Sequence, residues 1–123
     1  MREIQNVKQH PGEPHRRWFT SNTMELILWE DDREHPIGFQ LLYSTPEQNL
    51  ALTWREAHGF THHTVDTGDQ RARRRKMSPI LRANHPLNKR AIRSQFKKTA
   101  HTIDPTVFLY VCDRLSQATT QVS

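Results

Sequence analysis

The sequence predicts an α+β domain: an antiparallel meander of three strands, or four if Phe60–Val65 joins it, followed by two C-terminal helices. Three observations carry the prediction. Strand-like apolar stretches lie between Met24 and Trp54, a proline-containing turn separates two of them, and a helical period replaces the alternation after Asn88. The 123 residues are enough for one domain. Only 34% are hydrophobic and the mean hydropathy is -0.85, so the core has to come from these few segments.

Residues 1–15 are polar, carry Pro11 and Pro14 and show no sustained period, so an N-terminal arm is expected ahead of a domain at residues 16–116 and a tail at residues 117–123. Met24 to Trp29 has strand composition, and Arg16–Phe19 reads as a bulged or earlier part of the same strand. Leu26 and Leu28 point one way and Ile27 and Trp29 the other. A two-faced strand needs two covers. After the polar turn from Glu30 to Pro36, strict alternation puts Ile37, Phe39, Leu41 and Tyr43 on one face. Thr45-Pro46-Glu47-Gln48 fits a type I turn with proline second. Pairing Tyr43 with Leu50, Leu41 with Leu52 and Phe39 with Trp54 keeps the large side chains together, whereas a slip of one residue splits them.

Residues 59–86 contain Gly59, Gly68, Pro79 and Pro86 and read as a long excursion, with Phe60–Val65 as its one strand candidate. From Asn88 to His101, Ile92, Phe96, Thr99 and Ile103 share one side of a helix, and Lys89, Arg90, Arg93 and Lys97 another. Asp104-Pro105 is an N-cap and first-turn pair that favours a second helix with Phe108, Val111, Cys112 and Leu115 inward. Residues 107–112 also have strand composition, and that alternative stays open here.

Charge is unevenly distributed. Residues 1–69 hold six Lys/Arg and eleven Asp/Glu, while residues 70–103 hold eleven Lys/Arg and no acid. Nucleic acid is the partner such a segment suggests, through Arg71, Arg73, Arg74, Arg75, Lys76, Lys89, Arg90, Arg93 and Lys97. Against it, Phe96 is the only aromatic of the segment and lies on the apolar helix face, so stacking platforms are missing. A solvated surface that pairs with the acidic first half is the simpler account.

His58, His62, His63 and Asp66, with Asp69 nearby, are the candidate metal or small-ligand residues, but their spacing matches no established ligand pattern. A His-rich polar hairpin or loop edge is the simpler account of them. No serine sits in a nucleophile elbow, and Cys112, the single cysteine, lies in an apolar stretch suited to a buried thiol. One cysteine also excludes an intrachain disulfide. No catalytic residue and no cofactor motif emerges, which weighs against an enzyme. The N-terminus lacks the apolar core of a signal peptide and no run is long enough to span a membrane, so a cytoplasmic protein is expected.

The ordered motifs Arg16-Arg17-Trp18-Phe19, Gly38-Phe39-Gln40-Leu41, Ala51-Leu52-Thr53-Trp54, Gly59-Phe60-Thr61-His62, Asp66-Thr67-Gly68-Asp69 and Lys76-Met77-Ser78-Pro79-Ile80-Leu81 cover roughly residues 16–81. In these the chain resembles an uncharacterised family of short bacterial proteins. The resemblance implies a bacterial cytoplasmic protein and no particular chemistry, and the basic run at residues 71–75 departs from the family's pattern. The remaining expectation is a non-enzymatic interaction or structural protein, with self-association as a homodimer through Ile27, Trp29 and Leu42, beside Ala51, as one way to bury the second apolar face.

Overall fold

In the computed structural model, which describes residues 1–65 and 88–118, six strands form one antiparallel sheet in sequence order. They are β1 (Arg2–Ile4), β2 (His15–Thr20), β3 (Met24–Glu30), β4 (Pro36–Ser44), β5 (Asn49–Arg55) and β6 (Gly59–Val65). Two helices follow, α1 (Lys89–Ala100) and α2 (Pro105–Gln117). The meander and the helices are those the sequence predicts, but the sheet is twice the width of three strands.

The β4–β5 hairpin has the predicted register, with Tyr43 opposite Leu50, Leu41 opposite Leu52 and Phe39 opposite Trp54. Thr45 N–H donates to Gln48 O at 2.8 Å, and Gln48 N–H donates to Thr45 Oγ1 at 3.3 Å, which closes the turn. One expectation for β4 fails. The register shifts between Trp29 and Glu30, leaving Ile37 without a Cα partner in β3, and Ile37 is partly exposed instead of joining the core.

Arg16–Phe19 is not a continuation of the following strand. It belongs to β2, which folds back on β3 through Ser21-Asn22-Thr23, with Phe19 opposite Leu26 and Arg17 opposite Leu28. Ser21 makes that reversal without glycine or proline: its Oγ accepts from Thr23 N–H at 3.3 Å and from Met24 N–H at 3.1 Å. Arg2–Ile4, at the start of the expected arm, belong to the sheet. β1 pairs with β2, and the Met1 nitrogen donates to Thr99 O in the last turn of α1 at 2.7 Å.

The helices cover one face of the sheet. Phe19, Leu26, Leu28, Phe39, Leu41 and Leu52 are fully buried there against Ile92, Phe96, Val107, Val111 and Leu115. Asn88 caps α1 by accepting from Ala91 N–H at 3.1 Å, and Asp104 caps α2 by accepting from Thr106 N–H at 2.9 Å. Residues 107–112 are thus helical, and the strand alternative falls.

Arg17, on the same face, joins four elements. Its guanidinium donates to both oxygens of Glu3 in β1, at 2.9 and 2.8 Å, and to Glu30 in β3 and the Asp104 cap of α2 at 3.5 and 3.4 Å. Glu30 is 5% exposed and also meets His15 at 3.3 Å. Arg17→Met should lower stability in urea denaturation by about 2–4 kcal/mol, because Glu30 then keeps a buried charge without its guanidinium. Adding Glu30→Gln should recover part of the loss. A loss below about 1 kcal/mol would mark the network as surface pairing.

Candidate functional site

The histidines lie where a tight turn and a strand put them. Glu56, Ala57 and His58 form the β5–β6 turn, closed by His58 N–H donating to Arg55 O at 3.0 Å, and Gly59 leaves it at a φ of +75° that suits glycine. His58 is exposed at this turn. Along β6 the side chains alternate, so His62 points to the helices and His63 to the opposite face. His62 is 1% exposed, stacks on Tyr43 with ring centroids 5.9 Å apart, and its Nε2 shares a hydrogen bond with the Tyr43 hydroxyl. It is a core side chain with a satisfied polar edge.

The structure therefore does not bring His58, His62 and His63 together, and Asp66 and Asp69 lie outside the described residues. No group of three or more His, Cys, Asp or Glu side chains among the described residues is placed to hold a metal ion.

Of the basic candidates, Arg71, Arg73, Arg74, Arg75 and Lys76 also lie outside the described residues. Lys89 and Arg93 turn toward α2, where Lys89 Nζ donates to Ser116 O at 3.0 Å and Arg93 Nε to Cys112 O at 3.2 Å. They pin one helix to the other and complement the carbonyl end of α2. Arg90 and Lys97 stay on the exposed side of α1. Cys112 is buried, and desolvation pushes its thiol up despite the charges of Arg93 and Lys97.

The reverse face of the sheet has a different character. Among the described residues no helix lies over it, and it presents Trp18, Ile27, Trp29 and Leu42 partly exposed, in contrast to the fully buried positions behind them. Trp18 Nε1 donates to Glu25 Oε1 at 3.2 Å, and Gln40 Nε2 to Thr53 Oγ1 at 3.0 Å. Trp29 reaches across β4 at Gly38, where an added Cβ would stand 3.3 Å from the indole and 2.7 Å from Trp54 O. On the far side Arg55 stacks on the indole, 4.0 Å from the ring centroid. A shallow recess of about 200 Å³ opens beside this pair, lined by Pro14, Trp29, Ile37, Arg55, Glu56 and His58.

The chain matches no family model, no curated protein and no solved structure. The resemblance to short bacterial proteins rests on its motifs alone. Ile27, Trp29 and Leu42, which the sequence places on a second face, all lie on the reverse face of the sheet. Reading Arg16–Phe19 as part of the following strand does not place Trp18 on this face. Arg55 is missed because it meets Trp29 across an intervening strand, a contact no local period reports.

Two titrations follow from this geometry. Tyr43 and Tyr110 are the only tyrosines, and burial pushes both phenols above their ordinary value of 10.0, Tyr110 to about 12. The neutral forms are favoured by folding, so this stability is complete below pH 10 and falls as pH rises through the ordinary value toward the folded ones. Absorbance at 295 nm should show little tyrosinate at pH 10 in the folded protein and about half in urea. Equal titration in both states would refute the buried placement.

His63 shifts the other way, held below its ordinary value of 6.5 by desolvation. Its contribution is complete above pH 6.5 and is lost as pH falls below that value toward the folded one. Wild type should therefore lose more stability than His63→Gln between about pH 7 and pH 5. Parallel urea midpoints for the two proteins across that range would contradict this.

Proposed function

We propose that this chain is a non-enzymatic interaction protein whose working surface is the reverse face of its sheet. The supporting observation is the asymmetry of cover: α1 and α2 pack on one face, while the other offers Trp18, Ile27, Trp29 and Leu42 to contact. Antiparallel sheets commonly have one solvated face, but that face then carries polar side chains at alternate positions. Here Trp18, Ile27, Trp29 and Leu42 stand among polar side chains such as Glu25, Gln40, Thr53 and Thr61, with Arg55 laid flat on Trp29. Tryptophan and arginine are the residue types over-represented at energetic centres of protein interfaces. No helix among the described residues is long and apolar enough to cross a membrane, and the partner proposed for this face is a protein.

The reading separates this face from the core. The triple variant Ile27→Thr, Trp29→Thr, Leu42→Thr keeps strand propensity and removes the apolar contact surface. At about 1 µM, where association contributes little, it should keep the far-UV circular dichroism of wild type and lose no more than about 3 kcal/mol of stability. Three core positions would cost about 6–10 kcal/mol and unfold the chain. Unfolding of the triple variant would mean that the chain covers this face itself, and would end the proposal.

A further inference from the structure

We infer that the occupant of the reverse face is a second copy of this chain, stacked sheet on sheet about a two-fold axis that runs across the strands. The inference rests on the reading of this face as an interaction surface and names its partner. Area is the first argument. Six strands spaced about 4.8 Å apart and about 22 Å long present roughly 500–600 Å². Two copies would bury roughly 1,000–1,200 Å², just at the lower limit for a specific interface. The pair would be closed and finite, with helices outermost and the two sheets about 10 Å apart at the centre.

The second argument is self-complementarity, which a two-fold interface demands because the same patch must serve as both partners. The cross-strand register orders the face into rows. One end carries Arg16, Trp29 and Arg55, with Gly38 and Gly59 between and beside them. The other end carries Glu25, Leu42, Ala51 and His63. A two-fold axis along the strands would set Arg55 on Arg16, like charge on like charge, although the Arg16 guanidinium already donates to Lys8 O at 2.6 Å in its own chain. An axis across the strands sets one end on the other: Gly59 makes room for His63, and Glu25 comes over Trp29, where the Arg55 guanidinium lies. Leu42 then meets Gly38 and His63 meets Gly59, while Trp18 and Ile27 in the middle row each meet their own copy.

Sedimentation velocity over about 1–200 µM tests the partner, and should show a monomer–dimer equilibrium in the micromolar range, as expected for an interface near the lower size limit. Ile27→Lys, at the centre of the face, and Glu25→Arg should each weaken association roughly tenfold or more with the circular dichroism unchanged. A spin label at Thr61→Cys tests the axis, since Cys112 is buried. In the middle row of β6, two labels should lie about 10–15 Å apart across the proposed axis, against about 25 Å or more for an axis along the strands. A monomer at every concentration overturns the inference, as does a dimer indifferent to both substitutions or the longer label distance. Should the chain be monomeric while the triple threonine variant still folds, the second copy fails and the interaction reading stands.

Discussion

The fold depends on the two-residue period of β4 and β5. Six large side chains, Phe39, Leu41, Tyr43, Leu50, Leu52 and Trp54, share a face only in one register, and a shift by one residue would divide them. With that pair set, β3 lays Leu26 and Leu28 beside it and β6 brings His62 onto Tyr43, so the apolar platform spans the middle of the sheet. The helices then have one place to bury Phe96, Val111 and Leu115. Because both helices are used on that side, no helix among the described residues covers the other side of the same strands.

What could be read from the sequence follows from how local the determining physics is. The hairpin was legible because its alternation and its proline turn lie within twenty residues, and both helices because their caps are side chains adjacent to the first turn. β1 and β2 were not. The reversal from β2 into β3 depends on one serine hydroxyl, and β1 is three residues that become a strand only when β2 is there to pair with them. Composition favours no strand at Arg2–Ile4; the bidentate contact between Glu3 and Arg17 does, and it joins residues 14 positions apart.

The site followed the same rule. Ile27, Trp29 and Leu42 were legible as a second face because alternation reports a side chain's direction. Whether His62 was exposed or buried was not legible, because that depends on a phenol 19 residues away. The basic face of α1 also misleads when read alone. Lys89 and Arg93 look like free cations on a helical wheel, yet their reach carries them to carbonyls of α2. A charge run describes a surface only after the long side chains have chosen their acceptors.

Gly38 sets the relief of the reverse face. With a single hydrogen at that position, the Trp29 indole lies down across β4 and Arg55 can settle on it, so two bulky groups add only the thickness of two flat layers. A methyl group there would press on Trp54 O and tip the indole up, turning a low plateau into a ridge that holds any flat neighbour away from Ile27 and Leu42. The smallest residue in the sheet thereby sets how closely anything can approach the largest ones.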